Sequence, residues 1–396
     1  MAFSERVTRL KSSLIRDILA AAQRPEVMSF AGGLPAERCL PAMDWSAMPA
    51  GLGQYGMSEG EPALREAIAA QARAYGLDCT AEQVLVTTGS QQALDLIAKL
   101  YIDVGTPVLL EGPTYLAALQ SFQFFGADCL SVSLTRDGLD LAALRNCLAT
   151  RRPAFAYLIP TFQNPSGVRY DPANRAAVAA LLDEFAVTLV EDEPYRELCY
   201  DGAPARPLCA QLRRSAWVHT GTLSKTLLPG LRVGYLIASP ELLKPLRALK
   251  QAADLHTCRI SQWQVLQWLG SERYARHLDE IRDFYRHRRD AFAAALTRHF
   301  SDLADWQVPQ GGLFFWLRLK TPLDTRTLLD RALAEQVAFM PGEPFFADPD
   351  DHQGLLRLNF SHVPPERLDT GLARLAAVIR RAIAHDEEIR DVSSLR

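Results

Sequence analysis

The stretch Thr222-Leu223-Ser224-Lys225, followed three residues later by Pro229-Gly230-Leu231-Arg232-Val233-Gly234-Tyr235, decides how the rest of this chain is read. Most lysines are solvated surface charges, so Lys225 alone carries no message. Here it is bracketed by hydroxyls and precedes a Gly-Leu-Arg-x-Gly turn. Upstream lie two more unusual clusters, Asn164-Pro165-Ser166-Gly167 and Asp192-Glu193-Pro194-Tyr195. A lysine able to form a Schiff base, an acid for a pyridine nitrogen, Asn and Tyr for a phenolic oxygen, and Ser, Thr and Arg for a phosphate are the parts of a pyridoxal phosphate site.

Working outward from the lysine, apolar runs at 84–88, 108–110, 155–159, 188–190 and 217–220 read as buried strands. Helical periodicity at 91–101, 114–125 and 172–185 separates them. Strand, helix, strand repetition predicts an α/β fold with a mainly parallel sheet covered on both faces. A charged periodic stretch, 271–300, predicts one long helix bridging two lobes, and strands at 312–319 and 355–360 predict a smaller α+β unit. Val7, Leu10, Leu14, Ile18 and Ala22 fall on one face of an N-terminal amphipathic helix, with Arg9, Ser13 and Arg16 on another. Ser29-Phe30-Ala31-Gly32-Gly33-Leu34-Pro35 breaks any helix. The expected division is an N-terminal arm (1–28), a large cofactor-binding domain (53–285) and a small domain built from 29–52 and 286–396. The polar tail from His385 is expected to fray.

Bulk properties narrow the function. A chain of 396 residues is too long for one small core. A net charge of -3 gives no electrostatic reason to expect nucleic acid or an anionic membrane as partner. No apolar stretch approaches the roughly 18 residues of a membrane helix, and the N-terminus lacks a secretory h-region. The seven cysteines are scattered, odd in number and never in Cys-x-x-Cys spacing, which points to reduced thiols and a cytoplasmic location. No histidine pair has metal-ligand spacing, so no metal is expected.

Each chemical cluster also has a plainer reading. Thr88-Gly89-Ser90-Gln91 closes a strand and opens a helix, an end whose free N–H groups suit a phosphate, but an ordinary Ser N-cap looks the same. Asp192 ends a strand, where ligands of parallel sheets gather, or else belongs to a solvated acidic loop, Glu191-Asp192-Glu193. Asn164-Pro165 is also a common turn. Tyr115 can stack on a flat ring or be a core aromatic. Arg357, in Leu355-Leu356-Arg357-Leu358-Asn359-Phe360, needs an anion if buried and none if it faces outward.

Taken in order, these clusters resemble a fold-type I pyridoxal-phosphate-dependent aminotransferase of class I/II over nearly the whole chain. The similarity is greatest to the 2-aminoadipate/kynurenine aminotransferase branch. It is carried by 29–35 (SFAGGLP), Gln54-Tyr55, Glu59-Gly60, 88–92 (TGSQQ), 163–167 (QNPSG), 191–195, Ser224-Lys225, 230–234 (GLRVG), 254–257, 340–342 and 356–360. The resemblance implies that Lys225 is the Schiff-base lysine and proton shuttle and that Asp192 pairs with the pyridine nitrogen. Asn164 and Tyr195 would bond the ring oxygen, and Tyr115 would stack on the ring. Ser90, Gln91, Thr222, Ser224 and Arg232 would hold the phosphate, with Tyr55 reaching in from the second subunit of a homodimer. Arg357 would bind the substrate α-carboxylate, helped by Asn164 and the backbone at Gly33. Arg16, one turn from Ser13, would meet the distal carboxylate of a dicarboxylic substrate; periodicity alone favours a solvated arginine on the polar face, and it is the resemblance that reverses this. Two positions depart from the familiar pattern: Glu193, where a second Asp is usual, and Gly221. The implied activity moves an amino group from an L-amino acid of aminoadipate, leucine or aromatic type to a 2-oxo acid, with 2-oxoglutarate expected. A C–S lyase on the same lysine is the alternative. A GntR-type sensor domain fits worse, because only about thirty residues precede Gly32-Gly33.

Overall fold

The computed structural model describes residues 3–9, 24 and 26–394, the segment 386–394 as backbone only. Ser13 and Arg16 lie outside the described residues, as does most of the expected amphipathic helix; Glu5–Thr8 is helical.

Fourteen strands build three sheets among the described residues. In chain order they are β1 (Met28–Ser29), β2 (Val84–Thr87), β3 (Pro107–Gly112), β4 (Asp128–Thr135), β5 (Gly138–Leu139), β6 (Phe155–Leu158) and β7 (Thr188–Asp192). β8 (Trp217–Thr222), β9 (Gly234–Ala238), β10 (Ala304–Trp306), β11 (Phe314–Leu319), β12 (Val337–Ala338), β13 (Met340–Pro341) and β14 (Leu355–Asn359) follow. The large sheet has the order β2-β9-β8-β7-β6-β3-β4-β5. Its centre is parallel, β8 to β7 to β6 to β3 to β4, as the strand and helix alternation requires. β2 and β6 are buried at every position, which is why they read as unbroken apolar runs.

β9 is antiparallel to both β8 and β2 and was not anticipated as a strand. The link from β8 carries Lys225 and no α-helix, and a parallel return needs a longer crossover, so the chain can only turn back on itself. The helix expected at 114–125 begins later, at Leu116, because Tyr115 is extended and serves as its N-cap. The expected strand and helix at 312–319 and 271–300 appear as β11 and Glu272–Phe300. That helix presents Tyr274, Leu278, Ile281, Tyr285, Phe292 and Phe300 to the interior at helical spacing. Tyr274 bonds Thr226 beside the large sheet, and Phe292 stacks on Phe315 of β11 at 5.0 Å, so it touches both sheets. The tail expected to fray from His385 is helical as far as Ser394.

The second sheet is antiparallel, β10-β11-β14-β13. β1 pairs with β12, and the Phe30 carbonyl accepts from Asn359 N–H at 2.8 Å, so residues 28–30 are stitched to the C-terminal unit. No helix of the described residues is long and apolar enough to cross a membrane.

Candidate active site

The carboxyl ends of β6, β7 and β8 open into a cavity of about 480 Å³. Lys225, Asp192, Tyr195, Asn164, Tyr115, Ser90, Gln91, Thr222, Ser224, Arg232, Arg357 and Gly33 all line it, from segments up to 324 positions apart (357 − 33). Tyr55 does not: its side chain is 76% exposed, with its ring edge-on to His256 at 5.8 Å.

Lys225 follows β8 in the turn that reverses the chain into β9. Its Nζ donates to the Gly33 carbonyl at 2.8 Å and has no carboxylate partner among the described residues. Burial, then the Arg357 and Arg232 charges, lower its pKa to about 8. About a tenth of such an amine is uncharged at pH 7, far more than of an ordinary lysine, and the uncharged form is the nucleophile.

Asp192 shows the opposite imbalance. It is 2% exposed, and no cation among the described residues bonds it. Thr220 donates to Oδ1 at 2.7 Å and Tyr157 to Oδ2 at 2.7 Å, and burial raises its pKa. The solvated-loop reading fails for its neighbours too. Glu191 accepts from the Leu208 and Cys209 N–H groups, and Glu193 from Arg196 at 2.7 Å and from Thr161.

Arg357 on β14 is 6% exposed, so the outward-facing alternative is excluded. It donates to Asn164 Oδ1 at 2.9 Å and to the Ala31 carbonyl at 2.6 Å, with its guanidinium 4.2 Å from the Phe314 ring centroid. Its Nε is buried without a partner among the described residues, and burial lowers its pKa to about 10. Neither bonded acceptor is an anion. An arginine so placed calls for a carboxylate.

At the other end, Ser90 and Gln91 begin the Ser90–Tyr101 helix, whose positive end suits a phosphate. Gly89 precedes them at φ 74°, and a Cβ there would run into the Arg232 guanidinium, so only glycine lets this turn approach the arginine so closely. Thr222 and Ser224 hydroxyls meet at 2.9 Å. Behind the turn, buried Lys250 bonds Gln92, Asp254 and Thr257, and Gln92 in turn accepts from Thr88 N–H.

Sequence reasoning missed Tyr157, Thr220 and Phe314 at this site, although all three lie in or beside strands it had placed. It also missed Glu111, buried at the end of β3. Glu111 accepts from Ile159 N–H (3.0 Å), Tyr170 (2.6 Å) and Gln163 (2.9 Å), tying together the loops that carry Tyr115 and Asn164.

A buried amine and a buried carboxylate, neither with a countercharge among the described residues, an anion-seeking arginine and the positive end of a helix, all in one cavity, define a fold-type I pyridoxal phosphate enzyme acting on a carboxylated amine. The family model for aminotransferase class I and II matches residues 28–375, and the chain belongs to that family. It is 38% identical over 395 residues to the 2-aminoadipate transaminase of Thermus thermophilus, covering 97% of this chain and 98% of the relative. It is 36% identical over 394 residues to aromatic-amino-acid aminotransferase 1 of Thermococcus litoralis, covering 96% and 94%. The crystal structure of Pyrococcus horikoshii kynurenine aminotransferase in complex with PMP superposes with a TM-score of 0.89 at 33% identity, over 96% of this chain and 97% of that one. The protein is an aminotransferase that moves an amino group between an amino acid and a 2-oxo acid, with pyridoxal 5'-phosphate as cofactor.

Proposed function

We propose that the enzyme transfers the α-amino group of an aminoadipate-, leucine- or aromatic-type L-amino acid to 2-oxoglutarate in two half-reactions at one site. The observation that carries this reading is Arg357, buried, with Nε unsatisfied, in the same cavity as Lys225. When bound, pyridoxal phosphate supplies the electron sink that makes the substrate Cα–H acidic. Arg357 and Asn164 hold the α-carboxylate, helped by the backbone at Gly33. This fixes Cα relative to Lys225, which removes the Cα proton and returns it as general base and acid. Asp192 serves the ring nitrogen, Asn164 and Tyr195 the ring oxygen, and Tyr115 the ring face. Ser90, Gln91, Thr222, Ser224 and Arg232 receive the phosphate.

The remaining described walls are mostly apolar, with Leu34, Leu116, Ile159, Phe314, Met340 and Phe345, and suit a leucine-like or aromatic side chain. The described cations at the cavity, Lys225, Arg232 and Arg357, already have roles. The distal carboxylate of 2-oxoglutarate is therefore assigned to Arg16, with Ser13 beside it, both outside the described residues. Arg16→Gln is expected to raise KM for 2-oxoglutarate by about tenfold to a hundredfold, the loss of one charge-assisted pair, and to leave leucine nearly unaffected. Equal loss for both substrates would reduce Arg16 to a structural residue.

A homodimer completes the proposal, with Tyr55 serving the partner's phosphate. Trp45, Met48, Tyr55 and Met57 are exposed along one segment, an apolar surface of the sort that a second copy covers. The division into an arm (1–28), a large domain (53–285) and a small domain (29–52 with 286–396) is kept, as is a cytoplasmic location. The deciding experiment follows the cofactor's absorbance in single half-reactions. Glutamate should convert the aldehyde form to the amine form stoichiometrically, and 2-oxoglutarate should reverse it. Release of pyruvate from a cysteine conjugate with no oxo-acid acceptor would favour the lyase.

A further inference from the structure

We propose that Tyr157 and Thr220 are positioning residues that aim Asp192 and keep it ionised, so that the proton shared with the cofactor ring stays on the ring nitrogen. This rests on the reading that Asp192 meets that nitrogen. Three adjacent parallel strands make the arrangement. β7 ends in Asp192, β8 places Thr220 in direct register with it, and β6 brings Tyr157 alongside, in register with Val190 two residues further back. Each carboxylate oxygen receives one hydroxyl, at 2.7 Å in both cases.

Both hydroxyl groups belong to fully buried side chains, and Tyr157 is wedged edge-on against Phe122 at 5.5 Å. Neither hydroxyl has another partner among the described residues, so each has one proton and one place to direct it. A protonated Asp192 would need one of them to turn and accept, and the packing around Tyr157 opposes that. Ionised, Asp192 satisfies both donors and still offers lone pairs to the ring. The other titratable groups around it do less of this work. Tyr115 lines the cavity, Glu193 adds like charge, and His219, which bonds Glu193, pulls in the same direction as the hydroxyls but more weakly. Burial favours the neutral acid, and the two hydroxyls are the largest influences opposing it.

The sign of the effect follows. Removing a donor makes Asp192 more basic, and the shared proton moves from nitrogen to the carboxylate. The test loads the enzyme with pyridoxal phosphate labelled with ¹⁵N in the ring and follows the ring-nitrogen NMR shift against pH. Tyr157→Phe and Thr220→Val should each lower the protonated-nitrogen plateau of the ¹⁵N shift at acid and neutral pH, by about a tenfold to hundredfold change in the nitrogen-to-carboxylate proton ratio, while the pair gives up its last proton at an equal or higher pH. Thr220→Ser should restore the wild-type titration, and the Thr220 pair carries the test if Tyr157→Phe does not fold. A purely structural role would lower stability and leave the ¹⁵N titration in place. Asp192→Asn separates the two levels. If it leaves the nitrogen signal unchanged, Asp192 does not meet the ring and both readings fall. If it changes the signal while Tyr157→Phe and Thr220→Val titrate as wild type, this inference alone is overturned.

Discussion

An amine that must attack a carbonyl has to be uncharged, and water favours the ammonium. Lys225 resolves this by leaving water for a cavity where Arg357 and Arg232 repel its charge and where, among the described residues, the Gly33 carbonyl alone bonds it. Its pKa of about 8 lies below the ordinary lysine value, so the ammonium predominates under pH 8 and the free amine above it. The rate at which apoenzyme captures pyridoxal phosphate should therefore climb as pH rises through about 8 and level off. Lys225→Ala should fold, as read by circular dichroism, and capture no cofactor covalently. A capture rate independent of pH between 6 and 9, on the order of the range that separates the two forms, would contradict this account. The residues visible in the sequence, Lys225, Asp192, Asn164 and Arg357, were legible from the order and spacing of their clusters and not from their types, each of which has a plainer reading. Tyr157 was hidden because Phe155-Ala156-Tyr157-Leu158-Ile159 reads as an apolar strand in which a tyrosine counts as one more hydrophobe. Where its hydroxyl points depends on which strand lies beside it, and strand order is a property of the sheet, not of the strand.

At the scale of elements, Glu111 is the clasp between the end of β3 and the loop after β6. Burial pushes its pKa up to about 7, against three donors that pull it down. A folded-state pKa above the unfolded value means that the folded form holds its proton longer. Stability from this group is complete below about 4.5 and is lost as pH rises through about 7, a change of up to roughly 3 kcal/mol. Glu111→Gln should flatten that part of the stability–pH curve in denaturant titrations while leaving the strands intact. It should also raise KM, since Gln163, Asn164 and Tyr115 are set by the loops it joins. An unchanged pH slope would mean that Glu111 is already neutral throughout. The parallel core was legible because strands buried on both faces leave unbroken apolar runs. β9 was not, since its direction follows from the length of the lysine-bearing turn and not from its own residues. The start of the Leu116–Phe125 helix was misplaced by two residues, 114 against 116, because Pro113 is compatible with a helix N-terminus and Tyr115 was counted inside it.

For the whole molecule, Tyr55 is the measure of what one chain lacks. It is a site residue by resemblance and an exposed residue by structure. If it serves a second copy, Tyr55→Phe and Lys225→Ala proteins, each impaired, should recover activity when unfolded and refolded together, because the mixed dimer contains one site with both native residues. An active species that sediments as a monomer would rule this out. Why the dimer was inferred from Tyr55 and not from its surface is also physical. Exposure of Trp45, Met48 and Met57 cannot be read from a segment with neither helical nor strand periodicity.

The stitching of residues 28–31 to Ala338, Arg357 and Asn359 has a temporal consequence. A ribosome delivers the first of these segments some 300 residues before the last (357 − 31 = 326). The large sheet, complete by Ala238, can assemble while synthesis continues, and Lys225 and Asp192 then stand ready in an open half-site. Met28, Phe30 and Ala31 must wait with their apolar surface and carbonyls uncovered until β12 and β14 emerge. The substrate-binding half of the site is thus completed long after the cofactor half, and a chain stalled before residue 337 would carry the lysine with no arginine opposite it.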